Sequence, residues 1–269
     1  MVTCNKINDS AGWGRLGNQL WALSNVVGYS KKHDIPWRIP KWKYSQYFEG
    51  PFNEIDTVLE NCIDVVENGF HYTELPNITG SNINLMGYWQ SRKYWEHCEE
   101  DVLTIFTFTP EVIKEVKRFM MQSLCGNANI GYCSTAKIPV FVHVRRGDYV
   151  QGMAHYYHKL TLDWYAQAMN NFNPDTHHFF VLSDDIEFCR KHFTTANTSF
   201  SHFDEIHDLC LMSECSHGIM ANSSFSFWGQ FLIKNPNKII IAPAKDKWFK
   251  PVAGHNMDDL YHNQNWKLL

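Results

Sequence analysis

The 269-residue sequence predicts an α/β fold, and three observations carry that reading. Short apolar runs of strand length alternate with longer segments of helical period, most clearly beyond residue 137. That βαβαβ order implies parallel strands flanked by helices. Four polar motifs also fall where a strand ends or a helix begins, the edge at which such sheets hold ligands.

In chain order, a short strand is expected near Val2 to Cys4. "GRLGNQLWALSNVVGYSKKHD" follows as a helix from about Gly17, with Leu20, Trp21, Leu23 and Val27 as its buried stripe. "IPWRI" reads as a strand, residues 41 to 80 as irregular chain rich in aromatics, and "NINLMGYW" as a strand. "SRKYWEHCEEDVLTIF" reads as a helix with Ser91 as its cap, and a second helix starts at Pro110. "CGNANIGYCSTAK", residues 125 to 137, reads as a linker. Beyond it come strand "IPVFVHV", helix "LDWYAQAMNNF", strand "HHFFVLS", helices "DIEFCRKHF" and "DEIHDLCLMSEC", strand "HGIMAN", helix "SFSFWGQFLIK" and strand "NKIIIAP".

Composition narrows the function. Net charge is -4, from 24 basic and 28 acidic residues, which disfavours a general nucleic-acid surface but leaves room for a local basic pocket. No run reaches the roughly 18 apolar residues that span a bilayer, so no membrane span is expected. "MVTCNKINDSAGWG" has no apolar core, so no signal peptide is expected and a cytoplasmic location is. The 8 cysteines form no CxxC pair; in that compartment they read as reduced and mostly buried, and the Asn-x-Ser/Thr matches at Asn8, Asn77, Asn197 and Asn222 read as chance.

The first motif is "HVRRGDY", residues 143 to 149. Strand alternation sends Arg145 and Arg146 to opposite faces, so one of them meets a ligand head-on. A guanidinium grips phosphate in a bidentate way at any working pH, and an ion pair with Asp148 is the plainer reading of the same residues. The second is "VLSDDIEF": Ser183, Asp184 or Asp185 would cap a helix, and Asp184 or Asp185 could accept hydrogen bonds from a guanine edge. The third is "ANSSFSFWG", where Asn222, Ser223 and Ser224 precede a helix N-terminus that favours an anion. Capping is its plainer reading, and Phe225, Phe227 and Trp228 read as core. The fourth is "GWGRLGNQL", with Gly14, Gly17 and the amides of Asn18 and Gln19 at a strand-to-helix turn. It lacks the P-loop lysine and the GxGxxG spacing. The 14 histidines, including His155 and His158, show no metal-ligand spacing.

Taken together, "GRLGNQL", "GYWQSRKYWEHCEEDV", "HVRRGDYV", "FFVLSDDIEFC" and "DLCLMSECSHGIMANSSFSFWGQFL" resemble the inverting α-1,2-fucosyltransferases, glycosyltransferase family 11. The His-x-Arg-Arg-x-Asp element also occurs in α-1,6- and protein O-fucosyltransferases. The resemblance implies a GT-B fold: two Rossmann-like domains facing a central cleft. Residues 1–136 would serve the acceptor and residues 137–269 would bind GDP-fucose. It implies a metal-independent transfer to the 2-hydroxyl of a terminal β-galactoside, with no cofactor.

Carried over residue by residue, the resemblance makes Arg145, with Arg146, the stabiliser of the departing GDP. It makes His143 and Asp184 or Asp185 guanosine contacts, and Asn222, Ser223, Ser224, Phe225 and Ser226 a phosphate-side segment. Gly14, Arg15, Gly17 and Asn18 would approach the phosphates or the reacting hydroxyl. The α-1,6 enzymes carry a glutamate ten residues after the motif histidine, where this chain has Met153. Asp148 or His155 is the expected replacement base. Rival readings are a fucosyltransferase of another linkage or with a peptide acceptor, a non-catalytic nucleotide- or carbohydrate-binding module, and a metal enzyme using Asp184, Asp185 and Glu187.

Overall fold

A computed structural model describes residues 1–8, 14–125 and 137–269. They form two units: Met1–Thr109 with His255–Gln264, and Pro110–Gly254 with Asn265–Leu269.

Unit 1 contains strand β1 (Val2–Thr3), helix α1 (Leu16–His33), strands β2 (Ile39–Pro40), β3 (Glu54–Ile55), β4 (Cys62–Val66) and β5 (Asn82–Met86), and helix α2 (Glu99–Ile105). β5 lies between β1 and β4 in a parallel three-stranded sheet, and β2 pairs in parallel with β3. α1 is buried well beyond the expected stripe; Ser24 and Asn25 are also inside and return their side chains to the carbonyls of Leu20 and Trp21. Its charges collect in the last turn, where Lys31, Lys32 and His33 complement the helix dipole.

Two local expectations change here. β4 is a strand inside the segment expected to be irregular; it is a half-exposed edge with Asp64 at its centre, so its apolar pattern is weak. The aromatics of residues 42 to 52 pack a core: Trp42 stacks on Phe48 at 5.8 Å, and Phe48 meets Phe108 at 4.9 Å. Ser91 does cap, but it caps a 3-10 turn at Arg92–Tyr94, and the α-helix begins only at Glu99.

Unit 2 begins with helix α3 (Pro110–Cys125) and strand β6 (Ile138–Val144), followed by helices α4 (Gly147–Val150) and α5 (Leu162–Met169). Then come β7 (His177–Ser183), α6 (Ile186–His192), β8 (Thr198–Phe200), α7 (Glu205–Glu214), β9 (His217–Ile219), α8 (Ser224–Phe231), β10 (Ile240–Ala242) and β11 (Lys267–Leu268). The six strands are all parallel, in the order β11-β10-β9-β6-β7-β8. Counted from β6, this is the doubly wound order of a Rossmann sheet. Val140, Val142 and Val144 face α5 and α6 with Phe179 and Val181, while Phe141 and His143 take the opposite face.

The boundary between units falls before α3, not at residues 136 and 137. α3 buries Val112, Val116 and Met120, Lys117 reaches Glu214 of α7 at 3.2 Å, and Phe119 packs edge-on to Phe180 and Phe203. The apolar face of α3 thus belongs to unit 2, and residues 255–264 return to unit 1, where Asp259 pairs with Lys93 and Tyr72 N–H. Of the expected linker, residues 126–136 lie outside the described residues. No helix among the described residues is long and apolar enough to cross a membrane.

Candidate active site

β6 and β9 are neighbours in the sheet, yet the chain leaves them toward opposite edges, β7–β8 on one side and β10–β11 on the other. Their carboxyl ends therefore open at the topological switch point, where doubly wound sheets bind ligands. The register pairs Val142 with Ile219, so Arg145–Gly147 and Met220–Ser223 leave the sheet side by side.

His143 is the last residue of β6 on the α8 face and is 5% exposed. Its Nδ1 meets the Ser226 hydroxyl, and its carbonyl accepts from Tyr165 Oη at 3.1 Å. Burial pulls the imidazole down to about 4 although the Asp184 charge opposes this, so the ring is neutral at pH 7. Ser226 is 0% exposed, and its hydroxyl also accepts Ala221 N–H at 3.2 Å. It is therefore placed to orient His143, not to reach a phosphate as the resemblance implied.

The two arginines diverge, as alternation requires. The Arg145 guanidinium pairs with both Asp148 and Asp184 and lies 5.2 Å from the Tyr149 ring. Arg146 Nε donates to Asp185 at 2.9 Å, and its guanidinium lies 3.4 Å over Phe188. Asp184 also accepts the backbone N–H groups of Arg146, at 2.8 Å, and Gly147, at 3.2 Å. A Cβ on Gly147 would stand 2.5 Å from Asp184 Oδ2, so only glycine lets the loop close on that carboxylate. Asp185 caps α6 by accepting Phe188 N–H at 3.3 Å. Both aspartates expected at guanosine are thus committed to the arginine loop, and Arg145 makes the expected ion pair with Asp148 as well as one with Asp184.

The helix-start motif divides in the same way. Ser223 caps α8 and accepts Phe225 N–H at 3.3 Å. Asn222 is buried, with its amide donating to the His158 and Trp248 carbonyls at 2.8 Å each, so its side chain ties two loops together. Ser224 and Phe225 remain half-exposed, with Phe225 edge-on to His143 at 5.4 Å, so Phe225 departs from the core role expected of it. Phe227 and Trp228 are core. His155 is exposed and its ring leans toward Tyr156 at 6.5 Å, whereas Asp148 sits on Arg145. Tyr149 and Phe188, the last residues of the first and second motifs, flank the two guanidinium groups, and the sequence assigns neither a role.

In unit 1, Gly14 has φ of 84°, and Arg15 is the exposed N-cap residue of α1. A Cβ on Gly14 would meet Asn18 Nδ2 at 2.4 Å. Gly17 is buried. Gln19 is buried and occupied, donating to the Gly14 carbonyl at 3.1 Å and accepting from Trp42 Nε1 at 2.9 Å. Asn18 is half-exposed and accepts from Gln90 Nε2 at 3.0 Å. Among the described residues, no three His, Cys, Asp or Glu side chains converge as metal donors.

Comparison with known proteins adds to this geometry. The family described as Glycosyl transferase family 11 matches residues 5–267. An alpha-1,2-colitosyltransferase of Escherichia coli is 32% identical over 187 residues, covering 63% of this chain and 57% of that one. Galactoside 2-alpha-L-fucosyltransferase SEC1 of Bos taurus is 27% identical over 242 residues, covering 81% of this chain and 62% of that one. The chain thus spans less than two thirds of the length of these relatives. The solved structure of POFUT1 in complex with GDP-fucose aligns with TM-score 0.51 and 15% identity, covering 89% of this chain and 96% of that one, a likeness of fold.

Proposed function

The chain belongs to glycosyl transferase family 11, and on that basis we propose that it moves L-fucose from GDP-β-L-fucose to the 2-hydroxyl of a terminal β-galactoside. The arrangement is read as GT-B, with unit 2 as the donor side and unit 1 as the acceptor side. The observation that carries the reading is Arg145, held by Asp184 at the switch point of a Rossmann sheet. A fixed guanidinium there can take the charge that develops on a departing pyrophosphate.

In this reading the acceptor hydroxyl attacks the anomeric carbon opposite the phosphate, and the configuration inverts in one displacement. Arg145 and the positive end of the α8 dipole, at Ser224, hold the leaving GDP. Asp148, with its side chain 45% exposed, occupies one fork of Arg145 and would yield it to phosphate. Phe225 and neutral His143 lie on the same rim, with Phe225 half-exposed for a nucleobase. Metal independence belongs to the same proposal, and so does action in the cytosol, with which the seven described cysteines, all free thiols, agree.

The test is incubation with GDP-fucose and a panel of β-galactosides, followed by linkage determination. An α-1,2-linked product, formed at the same rate in excess chelator, is the expected result. No product with any β-galactoside overturns the reading. The 32% identical relative named for colitose supports a second donor reading, in which an activated colitose replaces fucose. A donor panel on the same acceptor separates the two.

A further inference from the structure

We propose that Tyr149 is a positioning residue that holds the Arg145 guanidinium in place for the donor pyrophosphate, an assignment that rests on the donor-site reading above. All of the groups involved belong to unit 2.

The N–H edges of Arg145 are taken by Asp184 and Asp148, so a phosphate binds there by displacing one of them. A guanidinium that gives up a partner loses part of what aims it. An aromatic face holds a cation through its quadrupole and uses none of its N–H donors. Tyr149 supplies such a face: the Arg145 guanidinium lies over its ring at 5.2 Å.

The ring is itself firmly held. Tyr149 is 7% exposed, in the single turn of α4. It stacks on Tyr157 at 4.0 Å with an interplanar angle of 4°, and Tyr157 packs on Phe249 at 5.1 Å. The Tyr149 hydroxyl donates to the Asn222 carbonyl at 2.9 Å. That carbonyl lies outside the α8 ladder, which opens with Phe227 N–H on the Ser223 carbonyl. A buried backbone acceptor at such a point needs a partner. The Asn222 amide in turn donates to the His158 and Trp248 carbonyls. Tyr149 therefore joins the loop after β6 to the start of α8 and, through Asn222, to the loop after β10.

A residue that only filled space here could be leucine or phenylalanine. Tyrosine does two things at once: its ring meets the cation of one loop while its hydroxyl ties down another. Burial, together with the Tyr157 phenol, keeps the Tyr149 phenol well above its ordinary 10, so the hydroxyl remains a donor at any working pH. Asp184 braces Arg145 from the tip of β7, and Tyr149 braces it from the side of β9 and β10. When Asp148 yields its fork to phosphate, these two contacts remain.

The test measures GDP binding to the full chain by titration calorimetry, in a cycle of wild type, Tyr149→Leu, Arg145→Ala and the double variant, with Tyr149→Phe alongside. Tyr149→Leu is expected to weaken GDP binding about tenfold, and Tyr149→Phe, which keeps the ring, by no more than about threefold. In the Arg145→Ala background Tyr149→Leu should cost nothing further, because its effect passes through that guanidinium. A loss that repeats in full without Arg145 marks a purely structural role and overturns the assignment. GDP binding like wild type in Tyr149→Leu overturns it equally. Should Tyr149→Leu fail to fold, pentafluorophenylalanine at position 149 keeps the shape and reverses the ring quadrupole. Binding about threefold or more below that of Tyr149→Phe is then expected, and equal binding overturns the assignment. A wild-type chain that binds no GDP removes the donor-site reading itself, whereas GDP binding with independent losses removes the Tyr149 role alone.

Discussion

Asp184 holds the Arg145 loop from two directions: one oxygen takes the Arg145 guanidinium, and the other accepts Arg146 N–H at 2.8 Å. The carboxylate at the tip of β7 thereby fixes the direction of the cation at the tip of β6. Strands far apart in sequence share one register, with Val144 opposite Ser183, and the loops beyond them lock together.

Arg145→Ala, folded as judged by circular dichroism, is expected to lose two or more orders of magnitude in kcat, about the size of one lost charge stabiliser. Arg145→Lys should also be damaging, because a single ammonium cannot serve Asp184 and a phosphate with one planar fork. Asp184→Ala is expected to cost about 10- to 100-fold through misplacement of Arg145. Steady-state kinetics of the three variants checks the order, and near-normal turnover in Arg145→Ala removes its role.

Ser226→Ala should destabilise unit 2 by about 1 to 3 kcal/mol, because it strips a buried imidazole of its partner. Urea denaturation measures this. His143 is held at about 4, below its ordinary 6.5, so an unfolded chain takes up this proton first. The contribution to stability is complete above pH 6.5 and is lost as pH falls toward 4. His143→Gln should flatten that acid slope, and an unchanged slope would contradict the assignment.

Asp208 gives the opposite sign. Burial, with the charges of Asp204 and Glu205, raises its carboxyl from 3.8 to about 7 against the Ser201 hydroxyl. The folded chain holds a proton that the unfolded chain releases, so stability falls as pH rises from about 4 to 7. The slope of this one group reaches about 1.4 kcal/mol per pH unit at most. Asp208→Asn should remove it, leaving the variant relatively more stable at pH 8 than at pH 5 in paired denaturation curves.

Gly218→Ala probes the switch-point strands. Gly218 pairs with Phe141 across β9 and β6, and a Cβ would stand 2.2 Å from the Phe141 ring. Phe141 is fully buried, so the clash has no soft side, and a loss of about 1 to 3 kcal/mol is expected. A thermal midpoint equal to wild type would mean that β6 and β9 are not so paired.

Much of unit 2 was legible in the sequence, because apolar runs buried on both faces mark parallel strands by themselves. β6, β7 and β10 carry such runs, and their turns bear the polar motifs. β8 and β11 went unread because they are three and two residues long, and β4 because it is an exposed edge. The unit boundary misled because α3 follows one possible break and precedes another, and only its packing on α7 assigns it.

The sequence by itself determined the α/β class, the places where chemistry-bearing residues leave the strands, and the divergence of Arg145 from Arg146. These follow from periodicity, which is local. The tertiary structure decided what each side chain does there. Asp184 became a brace, Ser226 and Asn222 became internal ties, and Tyr149 emerged between Arg145 and the start of α8. Such roles depend on which loops meet in space and on how much water they exclude, and neither is written in the spacing of residues along the chain.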